Sequence, residues 1–114
     1  MDRAYRIQDA AEPLAHLLDV HRRDGWVASD EDYETQPLGV SCCRTIGDLM
    51  RYVREYEMSA LPGALLVELT GEVIGRDRDR WAVRMRVESA RVIGSGERLV
   101  AAAYRGVEPG ARAQ

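Results

Sequence analysis

The stretch that decides the fold runs from Ala64 to Ile93, ALLVELTGEVIGRDRDRWAVRMRVESARVI. Leu65, Val67, Leu69, Gly71 and Val73 are apolar or small at every second position, with Glu68, Thr70 and Glu72 between them. Trp81, Val83, Met85 and Val87 repeat that period of two, with Arg80, Arg84, Arg86 and Glu88 interleaved. Each run therefore reads as a strand with one face for a core and one for water. Gly75-Arg-Asp-Arg-Asp79 between them is too polar to bury and opens on glycine, as a hairpin loop should.

Facing residues in a hairpin must share a face, which restricts the register. A loop centred on Asp77 pairs Val73 with Trp81, Leu69 with Met85 and Val67 with Val87, and sets Glu68 opposite Arg86 and Thr70 opposite Arg84. A loop centred on Arg78 pairs Glu72 with Arg84 but opposes Glu68 to Glu88, so the Asp77 centre ranks first.

Upstream, Ala4 to Ile7 reads as a short strand with Tyr5 and Ile7 on one side. Asp9-x-x-Glu12 resembles a capping box, Pro13 suits a first turn, and Leu14, Leu17, Leu18 and His21 follow at helical spacing. Arg22 and Arg23 favour the last turn of that helix and Gly25 its end. Trp26 to Ala28 reads as a brief strand, and the acidic window Ser29 to Pro37 as an exposed loop. Leu38 to Cys43 resumes strand character. Thr45, with Asp48 three residues on, then opens a second helix whose apolar side is Ile46, Leu49, Met50, Val53 and Tyr56, and Pro62-Gly63 ends it. After Ile93, residues 97–105 fit a helix closed by Gly106 or an edge strand; three consecutive alanines favour the helix.

These elements predict an α+β domain over residues 1–106, a mainly antiparallel sheet built on the 64–93 hairpin with two helices on one face. Residues 107–114 read as a flexible tail. The other face, carrying Glu68, Glu72, Arg80, Arg84 and Arg86, is expected to stay open.

Composition narrows the function classes. The chain has 46% hydrophobic and 31% charged residues, which suits a folded globular domain and not a disordered one. It has no Lys, Asn or Phe and all its bases are Arg, a bias that a GC-rich coding sequence produces and that lowers the meaning of any one Arg. A net charge of −3 gives no general attraction to nucleic acid. No segment approaches the roughly 20 apolar residues of a membrane span, no signal h-region follows Met1, and two cysteines make no disulfide framework, so a cytoplasmic protein is expected.

Few residues are arranged for chemistry. Alternation sends Cys42 and Cys43 to opposite faces, one expected buried and one half-exposed, with no zinc spacing nearby. His16 and His21 lie five apart, about 140° around a helix, too far to share a ligand. Asp30, Asp32 and Glu34 start like a calcium loop, but Thr35 stands where glycine is required and Ser41 where the bidentate Glu belongs; a solvated loop able to dock a basic partner is the better reading. Phosphate loops and paired catalytic carboxylates are absent, and no cofactor or metal is expected.

Two readings follow. The first is a non-catalytic interaction protein that binds another protein, with a second copy of itself as a candidate, through Glu68, Glu72, Arg80, Arg84 and Arg86 and the loop acids Asp30, Asp32 and Glu34. The second rests on Tyr5-Arg6-Ile7 in a first strand and Gly39-Val40-Ser41 ahead of a helix carrying Tyr52. This pattern resembles the first two motifs of ADP-ribosyltransferase-like folds. The resemblance implies NAD held with the help of Arg6 and Ser41; the family's third element, a catalytic Glu on a late strand, has no motif match in this chain, and Glu88 is assigned to it by position alone.

Overall fold

A computed structural model describes residues 1–19, 23–24, 38–76 and 80–106. The fold is α+β. Its strands are β1 (Asp2–Gln8), β2 (Arg23–Asp24), β3 (Gly39–Cys42), β4 (Leu65–Arg76) and β5 (Val83–Ser95), with helices α1 (Ile46–Glu55) and α2 (Gly96–Arg105) and a 3-10 helix at Leu14–Leu18. The sheet order is β1-β4-β5-β3-β2. All pairings are antiparallel except the two-residue β2, which runs parallel to β3.

The sheet does not stay open. Tyr5 donates its N–H to the Cys43 carbonyl (2.7 Å) and accepts from the Cys43 N–H (2.9 Å), so β1 is tied to the residue that follows β3. That bridge joins the two ends of the β1-β4-β5-β3 series and curls the sheet upon itself. Two separate cores result. Val67, Leu69, Met85 and Val87 pack with Ala4, Val40, Cys42 and Leu17 inside the curl. Leu66, Cys43 and Ala82 pack outside it with Leu49, Val53, Leu99 and Ala103 of the helices, and Tyr5, Ile7 and Trp81 border that cluster.

Val67, Leu69 and Met85 thus bury as their alternation requires, but other strands and the 3-10 helix cover them. The two helices lie with the opposite set, the Tyr5, Ile7 and Leu66 side. Cys42 and Cys43 do point to opposite sides, and both are buried, because each side has a core of its own.

The hairpin register differs from both sequence-based candidates. Glu72 faces Arg86, Val73 faces Met85, Glu68 faces Arg91 and Thr70 faces Ser89. The pairing shifts at Leu66/Val67, Thr70/Gly71 and Val73/Gly75. Each irregularity changes the count on one strand, so a single centre of symmetry cannot describe the ribbon. Gly71 marks one of them: a Cβ there would overlap the Arg86 carbonyl oxygen. Trp81 is not in the strand at all but in the turn ahead of β5.

The segment after β1 also departs from expectation. Asp9 accepts from the Ala11 N–H (2.9 Å) through its side chain, but Pro13 is extended (ψ 133°) and caps a 3-10 helix, Leu14–Leu18, in place of the first turn expected of it. Arg23 pairs in β2 where a helical last turn was expected. Residues 20–22 and 25–37, including His21, the 26–28 strand and the acidic loop, lie outside the described residues, as does the 107–114 tail. The later helices match their signals. Thr45 accepts from the Asp48 N–H (3.0 Å) at the start of α1, Ser95 does the same for Arg98 in α2, and Gly106 closes α2 in the left-handed conformation (φ 72°).

Candidate functional site

The charged residues of the ribbon fall into three settings. The first is the outer side of the sheet beyond the helices. There Glu68 lies between Arg91 (3.0 Å) and Arg3 (3.8 Å), and Glu72 lies 3.9 Å from Arg86. Thr70 and Ser89 hydrogen-bond through their hydroxyls in the same row. The surface is salt-rich and largely matched within itself; the exposed Glu72–Arg86 pair contributes about 0–1 kcal/mol, while the Glu68 carboxylate, 11% exposed, is largely withdrawn from water.

The second setting is internal. Arg84 is only 3% exposed, so it does not belong to the open face; it donates from Nη1 to the Gly39 carbonyl (2.8 Å). Alternation places it on the outer side of β5, but that side is wet only where nothing covers it. Here β3 pairs alongside, and a Cβ on Gly39 would sit 3.0 Å from Ile74 Cδ1 and 3.3 Å from Arg84 Cβ. Gly39, at φ 99°, leaves room for both side chains. Arg6 is 5% exposed and donates from Nη1 to the Ser41 carbonyl (2.9 Å). Two buried guanidiniums therefore reach main-chain carbonyls of one four-residue strand, each supplying a charge-assisted bond where a buried acceptor is costly to leave alone.

Of the three residues drawn from the enzyme resemblance, Arg6 and Ser41 are brought together, through the Ser41 carbonyl, and both are buried. Glu88 is exposed on β5, beside the irregularity at Gly71. No family model, curated protein or solved structure matches this chain.

The third setting shows in the sequence only as an Arg-rich turn, Arg76, Arg78 and Arg80, able to meet phosphate or an acidic protein but partly neutralised by Asp77 and Asp79 between them; Arg44 and Trp81 are added by the fold. At the hairpin end of the ribbon a cleft of about 540 Å³ opens between the last residues of β4, the turn into β5 and the start of α1, lined by Arg44, Asp48, Ile74, Arg76, Arg80 and Trp81 among others. Trp81 is half-buried, with the Arg80 and Arg51 guanidiniums 4.7 and 5.2 Å from its ring centre, a cation–π arrangement. Arg51 pairs with Asp48 (3.2 Å) and Arg80 approaches Glu55 (3.8 Å). Arg44 and Arg76 are exposed and make no ion pair with the described residues. Among the described residues, Arg80 alone of the expected binding residues lines this cleft; Arg44 comes from the turn after β3, distant in sequence. Asp30, Asp32 and Glu34 lie outside the described residues. Among the described residues no group of three or more His, Cys, Asp or Glu could hold a metal ion, and no helix is long and apolar enough to cross a membrane.

Proposed function

We propose that this chain is a non-catalytic interaction protein that binds another protein through the charged outer side of its hairpin, above all at the hairpin end. The observation that supports the reading most is the contrast in charge matching along one ribbon. Mid-sheet, Glu68 and Glu72 are met by arginines, whereas at the cleft Arg44 and Arg76 project without an ion pair among the described residues. Matched pairs have little to gain from a partner. Unmatched exposed cations retain their field and raise the rate at which an oppositely charged surface is captured.

The test is charge reversal on the exposed members. Arg80→Glu with Arg86→Glu is expected to abolish retention of the protein's partner in a pull-down from native lysate and to leave the melting curve nearly unchanged, since both side chains are exposed. Retention equal to that of the native chain would remove this surface from the reading.

A further inference from the structure

We infer that the hairpin-end cleft takes an acidic polypeptide segment carrying an apolar side chain among its carboxylates. This rests on the reading of that end as a binding surface and adds the chemistry of the occupant.

The charge of the cleft sets the sign. Its lining includes Arg44, Arg76 and Arg80 against Asp48, and Asp48 is already met by Arg51. An anionic occupant is attracted by Arg44 and Arg76, which have no ion pair among the described residues to break first. The cleft walls set the rest. Ile74 is 41% exposed and, with Val73, gives the cleft an apolar surface between its cations. A bare inorganic anion would leave that surface wet, whereas an apolar side chain would cover it.

Single-stranded nucleic acid fits less well. Base binding needs an aromatic face, and the Trp81 ring already has two guanidiniums against it. The chain's net charge of −3 also opposes a long polyanion, while a short acidic segment feels mainly the local cations. At about 540 Å³ the cleft is within the range of roughly 300–1,000 Å³ usual for specific ligand sites, larger than one ion requires.

Trp81 makes the cleft its own reporter. In the full-length chain with Trp26→Phe, Trp81 is the sole tryptophan. Titration with a synthetic glutamate-rich peptide containing one central leucine is expected to give a saturable change in its fluorescence, weakening as salt is raised. Arg44→Glu with Arg76→Glu is expected to lower the affinity about tenfold or more, because each reversal replaces attraction by repulsion. The neutral pair Arg44→Gln with Arg76→Gln should fall between, and circular dichroism checks that both variants fold. Replacing the central leucine by serine should weaken binding further. Inorganic phosphate, an oligoarginine peptide and a single-stranded oligonucleotide should give no saturable change at the same concentrations. No saturable change with the acidic peptide, undiminished binding in both folded variants, or tighter binding of the oligonucleotide would overturn the inference. Arg86 stays native in every variant, so failure here is distinct from loss of partner capture through the sheet face.

Discussion

Arg84 and Arg80 stand four residues apart and carry the same group, yet one braces the inside of the sheet while the other lies exposed at its end. The wider contrast is between the flanks of β3, where Arg6 and Arg84 reach main-chain carbonyls, and the rim of the cleft, where Arg44 and Arg76 face solvent. Residue type decides neither role. What decides is whether the neighbouring backbone offers a buried acceptor and whether a second layer covers the side chain.

The largest effect that would test this contrast is on the buried side. Arg84→Met keeps length and apolar stem but leaves the Gly39 carbonyl without its donor. Removing one partner of a buried charge-assisted bond costs the desolvation of the other, so a loss of about 2–3 kcal/mol is expected in urea unfolding, read as a lower midpoint at constant slope. Arg84→Lys should recover only part of it, since an ammonium is a point charge where the guanidinium presents a planar fork. An unchanged midpoint for Arg84→Met would mean that the buried bond contributes nothing net, and the two arginine regions would no longer differ in kind.

Next in size is Gly39→Ala, which attacks the same region from the strand. Gly39 sits at φ 99°, and the added Cβ would lie 3.0 Å from Ile74 Cδ1 and 3.2 Å from the Met85 carbonyl oxygen. Backbone strain at a positive φ costs of order 1–3 kcal/mol. The double variant with Arg84→Met sharpens the point: if Gly39 matters because it makes room for Arg84, the two losses should sum to less than their separate values, as neighbouring substitutions do when they share a partner. Strict additivity would show that Gly39 is required for its own conformation alone.

These positions also mark where the sequence was readable and where it was not. Local signals were faithful where they were read: Thr45 with Asp48 opens α1 and Gly106 closes α2, whereas the cap made by Ser95 at the end of β5 carried no such reading. Alternation along β4 correctly separated Val67 and Leu69 from Glu68 and Glu72. It did not give the register, because three pairing shifts interrupt it, and a period of two carries no notice of an extra residue. Nor could it give the closure between Tyr5 and Cys43, a long-range contact made by main-chain groups that every sequence possesses. Arg84 loses its solvent in another way the alternation does not show, against the Gly39 carbonyl and beside Ile74. The cleft was hidden because Arg44 and Arg76 are 32 positions apart in sequence and are brought to it by the pairing of β3 and β4 with the same end of β5.

The smallest expected stability effect is the most discriminating one. Arg44→Ala with Arg76→Ala removes two exposed guanidiniums that make no ion pair with the described residues, so stability should move by no more than about 0.5 kcal/mol, within the usual range for surface positions. Structural work would not leave that signature; side chains held by the fold cost something when cut back. A loss near that of Arg84→Met would place Arg44 and Arg76 with the bracing arginines and leave the cleft rim without free cations. A neutral result in unfolding, paired with weaker acidic-peptide binding by the same protein, separates the two regions by measurement: one set of arginines consumed by the sheet, the other left over for something outside it.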